Sequence, residues 1–275
     1  MDQPLKWHGG KHYLAEWIRT HSPKRKGRSY THRVHVFGGG LGEFWDWSST
    51  GVSEVVNDLD YRLTNLWHFW QNEMLFKEFV RRVEATPFSE IEFNNAQEEL
   101  KDEKGTPLDR SVAFFVLCRQ SRQGMLRSFA TLSKNRTRRG MNEQASSWLT
   151  AIEGLEAVHD RLKKVVITNK DFEKVIEAED SANTFFYCDP PYLHSTRTAK
   201  SAYGVFEMST QDHQRLLRAL LGLKGMFLLS GYHSELYDNT AKIGGWSVSE
   251  KEIDNKASSQ KVKPKKVECL WSNYA

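Results

Sequence analysis

The segment FFYCDPPY, residues 185–192, joins a strand-like apolar run directly to an acid, two prolines and a tyrosine. Side chains at the carboxyl end of a central parallel strand face the crevice in which α/β sheets hold ligands, so we expect Asp189 to point at a substrate. Pro190 and Pro191 lack N–H donors and leave a stiff rim of carbonyl acceptors. Tyr192 adds a flat ring, on which a nucleobase can stack with about 1–3 kcal/mol. Acceptors beside a ring favour a substrate with an amino group on a planar ring, such as adenine or cytosine.

The chemistry that these residues favour is transfer of a carbon group to that amine. An exocyclic amine is a poor nucleophile because its lone pair is delocalised into the ring. If Asp189 and the carbonyl of Pro190 each accept one of its hydrogens, the nitrogen moves toward tetrahedral geometry and can attack, while the acceptors stabilise the developing positive charge. The methyl group of a sulfonium such as S-adenosylmethionine is reactive enough once positioned, so no metal is required. The alternative is a rigid Pro-Pro turn.

A glycine-rich loop, FGGGLG at 37–42, follows another strand-like run. Its glycines let backbone N–H groups approach a ligand closely. Glu43 stands where the dinucleotide fingerprint requires its third glycine, which argues against NAD. Asp58, at the end of the next strand, could accept hydrogen bonds from ribose hydroxyls. These features indicate a nucleoside-containing cofactor other than a dinucleotide; the alternative is a tight turn and a surface acid.

The elements that must position these residues alternate between strands and helices. The predicted strands are RVHVF (33–37), SEVVND (53–58), KVVIT (164–168), TFFYC (184–188), MFLLSGY (226–232) and VECLW (267–271), the last at a sheet edge. Apolar stripes predict helices near the N-terminus (Tyr13, Leu14, Trp17 and Ile18), one long helix over 63–83, one over 148–162, and one after the capping box of Ser209 and Asp212. The pattern is typical of an α/β, Rossmann-like doubly wound sheet.

The alternation fades between residues 87 and 160, where the composition shifts toward charge and toward Arg, Ser and Asn. We therefore predict a catalytic core of residues 1–86 and 161–275, and an inserted domain of residues 87–160 built mostly of helices and loops. KASSQKVKPKK at 256–266 has no apolar pattern and is predicted to be a loop.

The composition is that of a folded protein, with 39% hydrophobic and 27% charged residues. No apolar run approaches the roughly 18 residues of a membrane span, and the start of the chain lacks a signal-like apolar stretch. The cysteines Cys118, Cys188 and Cys269 are widely spaced and form no CxxC pair, which favours a reduced, cytoplasmic protein without a zinc site.

Taken together, these motifs resemble those of the Dam-like, adenine-specific DNA methyltransferases, especially phage and prophage members, over nearly the whole chain. KWHGGK (6–11) is similar to the opening motif of the family, FGGGLG to its S-adenosylmethionine loop, NDLD to its ribose-binding acid, KDF to its cofactor-adenine contact, and DPPY to its catalytic motif. LLSGY and VECLWSNY also resemble family segments. One departure is His35, where the family commonly has an acid; we expect His35 to be a packed strand residue.

The resemblance implies specific roles. The catalytic residues would be Asp189, Pro190, Pro191 and Tyr192. The cofactor-binding residues would be Trp7, Lys11, Phe37, Gly38, Gly39, Gly40, Asp58, Asp171, Phe172 and Asp189, with Lys11 also able to reach DNA. The insertion would be the target-recognition domain.

The net charge of +4 conceals a local concentration of basic residues in the insertion and a second one at 261–266. We predict that the residues binding double-stranded DNA are Arg119, Arg122, Arg127, Lys134, Arg136, Arg138, Arg139 and Asn142. Most should bind phosphates, while one or two arginines could recognise guanine edges and Asn142 an adenine. The alternative for each is a solvated surface residue.

The predicted reaction is methylation of the exocyclic amine of adenine in duplex DNA, after the base flips out of the stack and onto Tyr192. The nearest alternative is methylation of the cytosine amino group by the same geometry. Another is a DNA-binding module that keeps the cofactor pocket but is catalytically silent, and RNA is a weaker substrate candidate. A companion restriction nuclease is not deducible from the sequence.

Overall fold

The computed structural model describes residues 3–23, 30–102, 105–197, 204–254 and 265–274. Its strands are β1 (His32–His35), β2 (Ser53–Asn57), β3 (Thr137–Arg138), β4 (Met141–Asn142), β5 (Val166–Thr168), β6 (Thr184–Cys188), β7 (Met226–Gly231), β8 (Ser247–Asp254) and β9 (Lys265–Ser272). Its α-helices are α1 (Ala15–His21), α2 (Tyr61–Gln71), α3 (Glu73–Glu84), α4 (Glu90–Asp102), α5 (Pro107–Gln120), α6 (Glu143–Glu153), α7 (Leu155–Leu162), α8 (Phe172–Glu179), α9 (Thr210–Leu221) and α10 (Glu235–Gly244). Apart from Lys265 and Lys266, the predicted loop at 256–266 and the basic cluster at 261–266 lie outside the described residues.

The chain divides into two compact units. The first unit consists of Met1–Arg19, Gly39–Ser48 and Asp60–Asn169, and the second of Thr20–Gly38, Ser49–Leu59 and Lys170–Ala275. The predicted insertion, 87–160, lies wholly within the first unit, which also includes neighbouring residues that were assigned to the core. The boundaries of the insertion stay a prediction.

The second unit is built on a mostly parallel sheet with the strand order β2-β1-β6-β7-β9-β8. Strands β2, β1, β6 and β7 run parallel to one another, whereas β9 is antiparallel to β7 and β8 is antiparallel to β9. All five residues of β6 are buried, as a central parallel strand covered on both faces requires. This mixed α/β arrangement confirms the predicted Rossmann-like fold class.

The prediction that the strand at 267–271 lies at a sheet edge was wrong. Strand β9 is paired on both sides, and β8 covers its outer edge along the full length from Ser247 to Asp254. Strand β8 has the sequence SVSEKEID, in which few residues are apolar and most are polar or charged. The alternation of apolar and polar residues that predicts a strand is therefore weak.

The core of the second unit lies between one face of the sheet and helices α8, α9 and α10. Val34, Phe186, Leu229 and Trp271 belong to this core, which also receives the leucine stripe of α9. The predicted capping box at the start of α9 is present, because Ser209 and Asp212 exchange side-chain and backbone hydrogen bonds. The core and the capped helix α9 therefore hold the sheet in place.

The first unit is mainly helical, and two of its predicted helices are each broken in two. The long helix over 63–83 breaks at Asn72, whose side chain accepts hydrogen bonds from the N–H groups of Met74 and Leu75 and so starts α3. The helix over 148–162 breaks at Gly154, which separates α6 from α7.

Helices α4 and α5 of the first unit were not predicted. Every residue of α5 from Ser111 to Gln120 is buried, because α5 packs against several other helices of this unit. A helix buried on all sides lacks an apolar stripe, so its period is not visible in the sequence. Among the described residues, no helix has both the length and the apolarity that a membrane crossing needs.

Candidate active site

The candidate site lies where the parallel strands of the second unit end. Strands β1, β6 and β7 run in one direction, so their carboxyl ends share one edge of the sheet. Asp189 follows β6 directly, between the two neighbouring strands, and is half-buried, whereas Pro190 is buried. The acid and its proline rim therefore stand at the position predicted from the sequence.

The end of β6 is held firmly between its neighbours. The hydroxyls of Tyr187 and Ser230, on β6 and β7, are hydrogen-bonded at 2.9 Å. On the other side the His35 ring contacts the Tyr187 ring edge to face, with 5.9 Å between the ring centroids. His35 is fully buried, which confirms the expectation that it is a packed strand residue. The backbone that leads into Asp189 is thus fixed from both sides.

Tyr192 is fixed more tightly than a free stacking surface would be. Its side chain is only 8% exposed, and its hydroxyl donates a hydrogen bond to the buried carboxylate of Glu268. Its ring contacts the ring of Tyr232 edge to face, with a centroid distance of 4.8 Å. Burial, together with the nearby Glu268 charge, raises the pKa of Tyr192 well above its usual value, so the hydroxyl stays protonated.

The loop after β1 is tied to the end of β2 by Asn57, which sequence reasoning missed. The N–H of Gly38 donates to the Asn57 carbonyl at 2.8 Å. The Asn57 amide group donates to the carbonyls of Val36 and Lys170, both at 3.0 Å, and accepts from the N–H of Lys170 at 2.9 Å. Asp58 follows directly and is half-buried. Through its backbone carbonyl and its buried side chain, Asn57 therefore fixes the glycine loop, the acid at 58 and the segment that leads into Asp171.

Asp171 and Phe172 begin α8. The Asp171 side chain caps this helix by accepting from the N–H of Glu173 at 3.0 Å. The ring of Phe172 lies 5.7 Å from that of Phe37, centroid to centroid, so two predicted cofactor residues form one aromatic pair. Arg215, which the sequence analysis did not single out, donates to Asp171 at 3.0 Å and places its guanidinium carbon 4.8 Å from the centre of the Phe172 ring.

In the first unit, the KWHGGK segment packs on the glycine loop. A Cβ atom at Gly40 would lie 2.4 Å from the Cβ of Trp7, and one at Gly42 would lie 2.8 Å from the backbone nitrogen of Lys11. Gly39 has a positive φ of 50°. Lys11 is buried and donates to the Gly9 carbonyl at 3.2 Å. The glycines are therefore required by close packing of Trp7 and Lys11 as well as by any ligand.

Two of the predicted DNA-binding side chains are used inside the first unit. Arg119 is 7% exposed and donates to the carbonyl and the hydroxyl of Ser147 at 2.8 and 3.0 Å. The Asn142 side chain caps α6 by accepting from the N–H of Gln144 at 2.9 Å and donates to the Ser133 carbonyl at 3.1 Å. Both polar groups are thus engaged within this unit, with Arg119 buried and Asn142 half-buried.

The remaining basic residues are exposed: Arg122, Arg127, Lys134, Arg136, Arg138 and Arg139. Arg138 and Arg139 lie at the end of the β3–β4 hairpin, whose turn has positive φ angles at Arg139 and Gly140. Arg139 forms a two-point ion pair with Glu153 at 2.9 and 3.0 Å. The surface of residues 122–139 therefore carries several exposed cationic side chains.

The geometry can be set beside known proteins. Residues 7–260 match the family model of the D12 class N6 adenine-specific DNA methyltransferases. The chain belongs to this family. A search of curated proteins gave no match.

Membership of the D12 class establishes the activity. The chain is an enzyme, a methyltransferase that acts on adenine N6 in DNA, as the motifs predicted. The family also implies S-adenosylmethionine as methyl donor. The match does not distinguish phage members, so that detail of the resemblance stays a prediction.

The residues at the strand ends suit the cofactor of a D12 class enzyme. The half-buried carboxylate of Asp58 can accept from ribose hydroxyls, and the Phe37–Phe172 pair offers an apolar surface for an adenine ring. In the described part of the chain, no group of three or more His, Cys, Asp or Glu side chains could hold a metal ion. Cys118, Cys188 and Cys269 are buried free thiols, and burial raises the pKa of each.

Proposed function

We propose that Asp189 and the Pro190 carbonyl activate N6 of an adenine that has been flipped out of duplex DNA. The observation that carries this proposal is the position of DPPY, which begins directly at the carboxyl end of β6 and between β1 and β7. Pro190 and Pro191 carry no N–H donor, so the polar backbone groups that this turn offers beside the half-buried Asp189 are carbonyl acceptors.

The chain's own groups act on the target nitrogen. Asp189 and the Pro190 carbonyl accept the two N6 hydrogens, which localises the nitrogen lone pair and stabilises the positive charge as it develops. S-adenosylmethionine, when bound, supplies the electrophilic methyl group. That methyl group would pass to N6, and Asp189, which accepts one N6 hydrogen, would take the proton that the nitrogen then releases. Because the β6 end is fixed by Tyr187 and Ser230, these acceptors need no rearrangement.

In the second unit, the proposed cofactor residues are Phe37, Gly38, Asp58, Asp171, Phe172 and Asp189. Asp58 would bind the ribose hydroxyls, and Asp171 with Phe172 would contact the cofactor adenine. The Asn57 hydrogen bonds and the Phe37–Phe172 contact support this assignment, because they fix these groups relative to one another. Trp7, Lys11, Gly39 and Gly40 of the first unit are proposed from the resemblance of their motifs.

The proposed DNA surface consists of the exposed basic residues Arg122, Arg127, Lys134, Arg136, Arg138 and Arg139. Arg119 and Asn142 are left out because their polar groups are bound within the first unit. The flipped adenine would contact Tyr192, whose ring is held in place by Tyr232. An enzyme that acts on DNA in this way would work in the cytoplasm of a bacterial cell or of a phage-infected host.

Methyl transfer with tritiated S-adenosylmethionine and unmethylated duplex DNA tests the proposal. Nucleoside digestion followed by mass spectrometry should give N6-methyladenine, and sequencing of the methylated DNA should give one recognition motif. N4-methylcytosine as the product would contradict the assignment. A positive gel-shift assay with DNA, without transfer to any duplex, would instead indicate a silent DNA-binding protein.

A further inference from the structure

Strand β9 continues past the end of its neighbour β7. The pairing of the two strands runs from Leu228↔Ser272 to Gly231↔Cys269, where β7 ends. The residues of β9 from Lys265 to Glu268 are paired with β8 alone. The start of β9 therefore stands beyond the carboxyl end of β7, beside the residues that follow β6 and β7.

The two faces of β9 serve different purposes. Cys269 and Trp271 belong to the core beneath α9 and α10, and Val267 packs against the same core. Because side chains alternate along a strand, Lys266 and Glu268 lie on the other face. Glu268 is nevertheless only 1% exposed. A buried carboxylate on the face away from the apolar core requires a specific polar partner.

A polar partner of Glu268 is the tyrosine of DPPY, whose hydroxyl donates to the carboxylate. Two residues away, Lys266 donates to the carbonyl of Thr196 at 3.2 Å and places its ammonium 4.6 Å from the centre of the Tyr232 ring. The same face of β9 thus holds residues 189–197 at two points and also contacts the ring that supports Tyr192.

We infer that Glu268 is a positioning residue for methyl transfer, acting through the Tyr192 hydroxyl to fix the segment that carries Asp189 and the Pro190 carbonyl. The inference rests on the proposed function, because it assigns Glu268 no contact with DNA or cofactor. Activation of N6 depends on acceptors that are already in place, and a segment released from β9 would spend less time in the productive arrangement. The proposed cofactor residues that follow β1 and β2 or begin α8 are held by other bonds, so binding of S-adenosylmethionine should depend little on Glu268 even though Asp189 lies in the segment that Glu268 fixes.

The test compares Glu268→Leu, Glu268→Gln, Tyr192→Phe and the double variant Tyr192→Phe/Glu268→Leu in single-turnover methyl transfer. We expect Glu268→Leu and Tyr192→Phe each to slow transfer about tenfold, the change that loss of one hydrogen bond to a charged group brings. Glu268→Gln keeps an accepting oxygen and should lose only about threefold. The double variant should be no slower than the slower single variant, because both remove the same bond. Affinity for S-adenosylmethionine, measured by calorimetry, should stay within about twofold throughout.

Glu252→Leu is the matched control, because Glu252 lies on the paired strand β8 and makes an exposed ion pair with Lys265. It should transfer methyl groups at the wild-type rate. Hydrogen exchange gives a second measurement: amides of residues 192–197 should exchange faster in Glu268→Leu than in Glu252→Leu.

Unchanged transfer rates in Glu268→Leu and Tyr192→Phe, or losses that multiply in the double variant, would overturn the inference while wild-type transfer still upholds the proposed function. If Glu268→Leu does not fold, a wild-type rate in Tyr192→Phe is enough to overturn it. Wild-type protein that binds cofactor but methylates no DNA would overturn the proposed function itself.

Discussion

The strand ends of the second unit and the basic surface at 122–139 of the first unit are organised in opposite ways. At the strand ends, polar side chains are bound to partners on neighbouring elements, as Asn57 and Tyr192 show. On the basic surface, Arg122, Lys134 and Arg138 are exposed and make no side-chain hydrogen bond or ion pair within the part of the chain that the structure describes. The polar groups at the strand ends are held in place before any substrate binds, whereas the basic surface presents long, exposed charged side chains.

The difference corresponds to two physical tasks. Stabilising charge on one nitrogen needs acceptors at defined positions, and any reorganisation reduces the rate. Attraction to DNA phosphates needs positive charge near a repeating array of negative charge, and long cationic side chains can adapt to it. Substitutions in the two regions should therefore affect different steps by different amounts.

The largest effect is expected at the strand end. Asp189→Ala removes the charged acceptor and should reduce methyl transfer by at least about 100-fold, while the affinity for S-adenosylmethionine changes by less than about threefold. Radiometric transfer and calorimetric cofactor binding measure the two quantities. Asp58→Ala is the complementary variant and should weaken cofactor binding first. Near wild-type turnover in Asp189→Ala would refute the role assigned to this carboxylate.

The next effect should be on DNA binding. Arg122→Ala and Arg138→Ala each remove one exposed charge, so each should weaken DNA binding about two- to tenfold at physiological salt and reduce the slope of log K against log salt by about 1. Fluorescence anisotropy over a salt series measures both. Lys77→Ala removes the same charge from an exposed ion pair on α3 and should leave the slope unchanged. Equal slopes in all variants would mean that residues 122–139 do not bind phosphates.

The same contrast explains what the sequence could predict. TFFYC followed by DPPY predicted both β6 and the acid at its end, because a continuous apolar run ending in an acid and prolines has a local signature. Asn57 and Glu268 were missed, since their roles depend on partners far along the chain; Glu268 and Tyr192 are 76 positions apart. Arg119 was predicted to bind DNA from the local concentration of basic residues, and that composition does not distinguish an exposed cation from one bound to Ser147. Helix α5 was missed because it is buried on all sides and shows no apolar stripe, and β8 was missed because most of its residues are polar or charged.

A smaller effect is expected for a residue that holds the proposed cofactor-binding groups in place but takes no part in methyl transfer. Arg215→Gln removes the bond to Asp171 and the cation above Phe172, and so should weaken S-adenosylmethionine binding about three- to tenfold. The transfer rate at saturating cofactor should be unchanged, since Asp189 is held by other groups. Arg218→Gln, an exposed arginine on the same helix, is the control and should bind cofactor normally. A fall in the saturated rate with normal affinity would contradict this division.

The smallest effect is a pH dependence of stability at the end of β7. His233 lies between Asp238 of α10, at 2.8 Å, and Glu250 of β8, at 3.1 Å. Its hydrogen bond to Asp238 is the main cause that raises the pKa of His233 above its usual 6.5, and the Asp238 and Glu250 charges add to it. Because the folded-state pKa is the higher one, the stabilisation is complete below the unfolded pKa and is lost as the pH rises through the folded value.

Wild type should therefore exceed His233→Gln in melting temperature at pH 6, and the difference should shrink toward pH 9. The His233 side chain is 41% exposed, and a surface ion pair contributes only about 0–1 kcal/mol, which limits the difference at pH 6 to roughly 2–4 °C. Scanning calorimetry of both proteins over this pH range measures it. His213 gives an internal contrast, since burial lowers its pKa to about 4 and it stays neutral throughout the range. A difference that is constant or grows with pH would show that His233 stabilises the strand end by packing rather than by its charge.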